Sequence, residues 1–103
     1  MNIVILITCA NEEEAQKISH ALVGKRLCAC VNILGNVKSL FWWQGKVSSS
    51  PEALLIAKSG KTKFTRIIKL VKSLHSYEVP EIIALPIITG EAKYLNWLKD
   101  CIK

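Results

Sequence analysis

Long apolar runs are missing from this sequence. The run at Ile3–Ile7 has five residues, far fewer than the ~18 that a membrane-spanning helix needs. It does not follow a basic segment and leads to no cleavage site, so we expect no export signal and a cytoplasmic protein. Linkers, internal repeats and low-complexity segments are also missing. The 103 residues are therefore predicted to form one domain, residues 1–103.

Sequence patterns for a zinc site or a catalytic triad are absent as well. The chain has no CxxC pair and no HExxH segment, and its only histidines are His20 and His75. His20 lies in the middle of a predicted helix, on a face that we expect to be exposed. Because no base and nucleophile form an evident pair, we expect a protein that is not an enzyme.

The four cysteines do not predict a disulfide framework. They are Cys9, Cys28, Cys30 and Cys101. Cys28 and Cys30 are two residues apart in a predicted strand, where alternate side chains point along the same face rather than at each other. Without an export signal the thiols should stay reduced. Burial as small hydrophobic residues is the favoured interpretation for them.

Acidic residues are outnumbered by basic ones, which raises the question of a nucleic-acid partner. The net charge is +6 and the pI is near 9.3. Much of the excess lies on a predicted helix at 62–74, opposite an apolar row, which is the pattern of a solvated helix face. An RNA-recognition domain needs aromatic residues in its central strands, and the predicted central strands contain none. We expect neither a nucleic-acid partner nor a membrane partner.

Hydrophobic periodicity predicts the order β-α-β-β-α-β followed by one more helix. The predicted elements are strands at Ile3–Ile7, Leu27–Leu34 continuing at Val37–Trp43, Glu52–Ala57 and Ile82–Ile88, with helices at 12–23, 62–74 and 91–102. This order predicts an α+β, ferredoxin-like βαββαβ sandwich with an added C-terminal helix. Pro86 cannot donate a ladder hydrogen bond, so the last strand should lie at a sheet edge.

Caps and turns mark the ends of these elements. Asn11 is a helix N-cap with Glu14 as its capping-box partner, and Gly24 is expected to end that helix. The pair Gly35–Asn36 predicts a turn or bulge. Gln44–Lys46 predicts a turn. The strand that follows this turn is expected to be interrupted at Ser48–Pro51. Because Leu27–Leu34 is apolar on both faces, we expect it to be buried on both.

The loop His75–Glu81 is the strongest functional candidate. It holds an imidazole, a phenol and a carboxylate within four residues, on a loop between a helix and a strand. Neutral imidazole binds copper or zinc, and Glu78 could reach the same ion. Cys30 is the third candidate metal ligand. In the alternative interpretation His75 only caps the helix and Pro80 stops it.

Several segments in sequence order resemble the CutA family of divalent-cation tolerance proteins. These segments are Leu27–Asn32, Ser39–Lys46, Glu52 with Lys58, His75–Glu81 and Tyr94–Leu98. The resemblance implies a ferredoxin-like trimer, similar in architecture to the PII signalling proteins, in which long hairpins join neighbouring subunits. It also implies a link to copper tolerance and an intersubunit polar cleft formed here by Trp43, Glu52, Lys58, Tyr77 and Glu78. Some members carry a cysteine and a second histidine where this chain has Ile7 and Leu74.

The function expected from the sequence is a small homotrimeric binding or sensing module linked to the response to metal ions. We expect no obligatory cofactor, weak Cu(II) binding mainly through His75, and room for a small ligand at the subunit boundary. One alternative is a PII-like regulator that binds a small molecule or an anion. Another is an acyl- or phosphoryl-transfer enzyme at the His75 loop, although residues 8–11 lack the arginine of an acylphosphatase-like anion site.

Overall fold

A four-stranded antiparallel sheet lies at the centre of the chain in the computed structural model, which describes residues 1–103. The elements are β1 Asn2–Cys9, α1 Glu12–Gly24, β2 Cys30–Trp43, β3 Lys46–Gly60, a single 3₁₀ turn at Lys61–Lys63, α2 Phe64–Leu74, β4 Ile82–Pro86 and α3 Ala92–Cys101. The strand order β2-β3-β1-β4 is that of the predicted ferredoxin-like sandwich, and Pro86 lies on an edge strand as expected. None of the three helices has the length and apolar composition of a membrane span.

One face of the sheet packs against α1 and α2. Alternate residues of β1 point to this side and are buried, and the register places each opposite a buried residue of β3. The helices contribute Ile18 and Leu22 of α1 and Ile67 and Val71 of α2 to the same core cluster. These residues recur at helical spacing, so one stripe of each helix covers the sheet.

The opposite face of the sheet is not covered by α1 or α2, and we call it the open face. Its apolar residues are Val4, Leu6, Leu34, Leu54, Ile56, Ile83 and Leu85, and its polar residues include Cys30, Asn32, Glu52 and Lys58. Ile83 and Leu85 are half exposed, and so is Leu34 on β2. The expected burial of the second strand on both faces is therefore not met within one chain, because α1 and α2 both pack on the other face of the sheet.

Strands β2 and β3 run on beyond the sheet as a two-stranded ribbon, residues 37–52. Seven residue pairs, from Val37 with Glu52 to Trp43 with Lys46, form it without another neighbour, a length of about 23 Å at the rise of a strand. Gln44 and Gly45 turn the chain with φ of 50° and 78°, the type I′ geometry that matches strand twist. Trp42 near the tip is 75% exposed. The predicted bulge is confirmed, since the register shifts between Leu34 and Val37.

Two local expectations were wrong. Strand β3 is continuous through Ser48–Pro51, because a proline is tolerated where β3 has a neighbour on one side only. Helix α1 ends at Gly24, as expected, but Arg26 two residues later takes the left-handed conformation with φ of 57°. The amides of Leu27 and Cys28 then both donate to the Leu22 carbonyl. This helix termination delays the second strand, which begins at Cys30 rather than at Leu27.

Truncating a core residue of β3 should measure how much the helix-covered face contributes to stability. Leu55 is fully buried between the sheet and the helices. Leu55→Ala is expected to lower the free energy of unfolding by about 2–5 kcal/mol because a cavity remains. Val79→Ala is the control, since Val79 is 86% exposed, and it should change that value by less than about 0.5 kcal/mol. Denaturant unfolding of both variants compares them, and equal stabilities would contradict this packing.

Candidate functional site

The carboxylate of Glu14 joins the start of α1 to the loop that follows α2. The expected cap is confirmed, since the Asn11 side chain accepts a hydrogen bond of 2.8 Å from the Glu14 amide. The Glu14 carboxylate does not complete the capping box. Instead it accepts from the amides of Ala10 at 2.9 Å and Ser76 at 2.7 Å. Glu14 therefore satisfies two backbone donors that helix α1 and the loop would otherwise leave unpaired.

These contacts keep Glu14 ionised. Burial alone would raise the pKa of the Glu14 carboxyl, but the hydrogen bonds from Ala10 and Ser76 and the proximity of His75 outweigh it. The pKa of Glu14 consequently lies below its ordinary value of 4.5. A fixed negative charge with few solvent contacts thus lies at this end of the sheet.

The imidazole of His75 is buried and bonded at both nitrogens. Nε2 lies 2.7 Å from the Thr8 carbonyl oxygen, which can only accept, so Nε2 carries the hydrogen. Nδ1 accepts from the Tyr77 amide at 3.0 Å and lies 3.7 Å from the Glu14 carboxylate. The side chain is 0% exposed. The copper hypothesis assumed an imidazole in a loop open to solvent, and the structure corrects that assumption.

His75 also forms the end of α2, as the alternative interpretation proposed. It is the C-cap residue, and its amide donates to the Val71 carbonyl at 2.9 Å. Its backbone is extended, with ψ of 140°, so the chain leaves the helix here. His75 therefore has two roles. It caps α2, and the direction in which the chain leaves the helix brings its buried ring to the end of β1.

Cys9 completes a compact group of three ligand-type side chains. It is the last residue of β1 and is fully buried. Its sulfur, a carboxylate oxygen of Glu14 and a ring nitrogen of His75 all lie within 4.8 Å of one another. Burial, together with the negative charges of Glu14 and Glu52, raises the pKa of the Cys9 thiol to about 12. Without a bound cation this thiol is protonated and unreactive.

Tyr77 connects this group to the open face. Its ring lies 4.9 Å from the His75 ring, centroid to centroid. Its hydroxyl donates to the Glu52 carboxylate at 2.7 Å. Burial, then the hydrogen bond to Glu52 and the nearby negative charges, raise the pKa of Tyr77 to about 12. The phenol therefore remains a donor over the whole neutral range, and Glu52 remains its acceptor.

The three metal candidates from the sequence do not meet within one chain. Cys30 pairs with Lys58, and Lys58 pairs with Val4, which is five residues, or about 17 Å, from Cys9 along β1. The Cys30 sulfur lies 3.9 Å from the Lys58 amine on the open face. Glu78 is exposed, whereas the His75 ring is buried. The ligand-type residues that do surround His75 are Cys9 and Glu14.

The residues of the expected polar cleft are likewise spread along the open face and ribbon. Glu52 and Tyr77 are in contact. Lys58 is six residues further along β3, about 20 Å away, where its amine bonds to the Asn32 side chain. Trp43 lies at the ribbon tip and is 59% exposed. One chain thus forms one pair of this set, and the complete intersubunit cleft stays a prediction.

Sequence reasoning missed Cys9 and Glu14 as site residues. Glu14 already had an explanation as a capping residue, and Cys9 had one as a small hydrophobe. The useful signal was their spacing, a cysteine at the end of a central strand and a glutamate in the first turn of the next helix. Only the tertiary structure brings them to His75, because Glu14 and Ser76 are 62 residues apart in sequence.

Comparison with known proteins settles the family. A family model described as CutA1 divalent ion tolerance protein matches residues 3–101. This chain belongs to the CutA1 family. The resemblance seen in the segments around Cys30, Trp43 and His75 is thereby confirmed. The ferredoxin-like chain fold is the one expected for such a protein, while its assembly is not described by a single chain.

Relatives from distant organisms align with nearly all of this CutA1 chain. The divalent-cation tolerance protein CutA of Thermus thermophilus is 47% identical over 100 residues, which are 97% of each chain. A solved structure of the Thermus thermophilus protein has a TM-score of 0.98 at 46% identity and covers all of both chains. A protein named CutA 1, chloroplastic, from Oryza sativa is 41% identical over 99 residues. This chain spans only 56% of the length of that rice relative.

The Glu14 carboxylate should make stability depend on pH. Glu14→Gln in metal-free protein is expected to lower the free energy of unfolding at neutral pH by about 1.5–3 kcal/mol, because charge-assisted hydrogen bonds are lost. The folded-state pKa of Glu14 is depressed, so its stabilisation is present above 4.5, the ordinary value, and is lost as pH falls through the folded pKa. Unfolding from pH 7 to pH 3 should show the difference between wild type and variant shrinking. A difference that grows on acidification would contradict this.

Proposed function

We propose that this CutA1 chain acts as a homotrimeric binding module in the response to divalent metal ions, without a catalytic step of its own. Relatives in Thermus thermophilus and Archaeoglobus fulgidus are named divalent-cation tolerance proteins. The observation that carries the proposal is the open face, an apolar sheet surface on which Leu34, Ile83 and Leu85 stay about half exposed. A binding module that assembles through the open face would account both for the names of these relatives and for the apolar surface.

The open face supports assembly on energetic grounds. Ile83 and Leu85 of β4 and Leu34 of β2 each leave about half of their side-chain surface exposed, and they flank partly buried residues of β1 and β3. Burying a fully exposed aliphatic side chain contributes about 1.5–3 kcal/mol, so covering the remaining exposed half of each contributes roughly half of that. A contiguous apolar surface of this kind is characteristic of a protein interface. A second and third copy of the chain are its proposed cover.

The ribbon supports the same conclusion independently. A two-stranded ribbon in water is marginally stable at best, yet residues 37–52 have no other strand beside them. Leu40, Trp42 and Val47 expose apolar side chains along its length. Contact with neighbouring chains would stabilise the ribbon and remove these side chains from water. The long-hairpin contact that the family resemblance implies fits this geometry.

The proposed polar cleft lies where the ribbon meets the sheet. Glu52 is the last ribbon residue of β3, and Tyr77 holds its carboxylate. In a homotrimer the remaining members of the set, Trp43, Lys58 and Glu78, would come from neighbouring chains. Joining chains at this position places ionisable groups beside an apolar interface, where each needs a partner. A small ligand at the subunit boundary would contact these groups.

The His75 geometry supports a binding role over acyl or phosphoryl transfer. Both nitrogens of His75 bond to backbone groups, so the imidazole has no free position from which to take a substrate proton. The Cys9 thiol has a pKa raised to about 12 by burial and by neighbouring carboxylates, so it is a poor nucleophile at neutral pH. Neither group fits the role that an enzyme at this loop would require.

Weak Cu(II) binding through His75 remains part of the proposal. A cupric ion at this imidazole must displace the Tyr77 amide from Nδ1, which costs a buried hydrogen bond. Cys30 and Glu78 do not lie beside it within the chain. A low, micromolar affinity is therefore expected for Cu(II) held by His75 without further ligands.

Sedimentation equilibrium tests the assembly. At micromolar concentration the wild-type mass should be three times the 11.5 kDa of one chain. Ile83→Glu, which places a charge on the open face, should reduce that mass because an unpaired carboxylate would be buried at the interface. Ile88→Glu is the matched control, since Ile88 follows β4 and is 93% exposed. A wild-type mass of one chain, or a trimer that tolerates Ile83→Glu, would overturn the proposed interface.

A further inference from the structure

The residues that best fit a metal ion in this chain differ from those expected at the outset. Cys9 ends β1, Glu14 lies in the first turn of α1, and His75 follows α2. Three elements therefore bring a thiol, a carboxylate and an imidazole to one point, with their ligand atoms within 4.8 Å of one another. We call this group the Cys9 cluster.

The hydrogen bond from His75 to Thr8 orients the imidazole for coordination. Because Nε2–H donates to the Thr8 carbonyl, the lone pair of the neutral ring is on Nδ1, the nitrogen that faces Glu14. Histidines that bind metals typically donate their other ring N–H to a carbonyl or carboxylate, which fixes the tautomer. In the Cys9 cluster this outer contact is already made.

Charge and ligand type favour zinc. A thiolate, a carboxylate and a neutral imidazole carry two negative charges, which balance a divalent cation and leave a neutral site suited to burial. Sulfur, nitrogen and oxygen ligands together are a typical zinc set. Zinc has no redox chemistry with a thiolate, whereas Cu(II) can oxidise one. The cluster is therefore better matched to zinc than to Cu(II).

A route from solvent reaches the cluster at Glu14. A surface cavity of about 260 Å³ opens there, lined by Asn11, Glu13, Glu14, Lys17 and Leu74. Leu74 directly precedes His75. The Glu14 carboxylate in the cavity wall gives a cation an approach to the cluster, and the space is large enough for a water molecule that could supply a fourth ligand.

We propose that Cys9, Glu14 and His75 form a binding site for zinc or a similarly thiophilic divalent cation. On binding, the Cys9 S–H bond breaks, its proton passes to solvent and a metal–sulfur bond forms. The Nδ1 lone pair of His75 exchanges the Tyr77 amide for the ion. The inference rests on the proposed response to metal ions, but it does not depend on the homotrimer.

The exchange at Nδ1 links the ion to the open face. The Tyr77 amide loses its partner when the ion binds, while the Tyr77 hydroxyl holds Glu52 on β3. Ion binding should therefore loosen the Tyr77–Glu52 hydrogen bond at the proposed subunit boundary. Such a link would let a buried ion change the polar cleft, which is what a sensing module requires.

Titration with Co²⁺ tests the site. A thiolate bound to cobalt gives a charge-transfer absorption band, whereas a carboxylate or an imidazole does not give this band. The reduced protein should bind one Co²⁺ per chain with this band, and added Zn²⁺ should remove it. Cys9→Ser should abolish the band, whereas Cys101→Ser, at the end of α3, should retain it. Glu14→Gln should weaken Co²⁺ binding by at least about tenfold, the cost of losing even an outer contact of a metal site. Glu13→Gln, which changes the cavity wall but none of the three proposed ligands, should not weaken Co²⁺ binding.

The outcomes separate this site from the proposed function. A thiolate band that persists in Cys9→Ser would place the ion at another cysteine and overturn the inference. Binding without a thiolate band would do the same, while leaving a metal response at other residues intact. No binding at all would overturn the site and remove its support for metal sensing, yet sedimentation would still measure assembly. If Cys9→Ser fails to fold, unchanged affinity in Glu14→Gln would overturn the site on its own.

Discussion

The placement of α1 and α2 on the same face of the sheet is the constraint on which the rest of this structure depends. Helices α1 and α2 bury the centre of one face of the sheet, while Leu34, Ile83 and Leu85 on the open face stay about half exposed. The ribbon at residues 37–52 extends the same strands beyond any neighbour. Both surfaces would be costly in water, and both would be buried by contacts with other copies of the chain. The proposed assembly would therefore tie the stability of this CutA1 chain to its function.

The second organising feature is the hydrogen-bond network at the end of β1. Glu14 satisfies the amides of Ala10 and Ser76, and His75 bonds to Thr8 and Tyr77. These contacts join segments that are far apart in sequence and give the loop after α2 one conformation. Tyr77 then extends the network to Glu52 at the base of the ribbon. The buried cluster and the open face are thus parts of one connected structure, which is why an ion at one could affect the other.

Most of the fold could be predicted from the sequence because its signals are local. The signals are the unbroken apolar run Ile3–Ile7, the Gly35–Asn36 bulge, the Gln44–Lys46 turn and Pro86 at the edge, and each depends on a few neighbouring residues. The start of the second strand was misplaced because Arg26 adopts the left-handed conformation and turns the chain after α1. The Cys9 cluster could not be predicted, since Cys9 and Glu14 meet His75 only through the packing of α1 and α2. Spacing in sequence relates Cys9 to Glu14, but it carries no information on their contact with His75.

The most direct test of the account is amide hydrogen exchange along the ribbon. A ribbon covered by neighbouring chains should exchange slowly at residues 37–52, with protection comparable to that of β1, because opening would require the assembly to open. The Ile83→Glu variant should lose ribbon protection while β1 stays protected, since the helix-covered core does not depend on other copies. Wild-type ribbon amides that exchange rapidly beside a protected β1 would show a ribbon free in water and contradict the account.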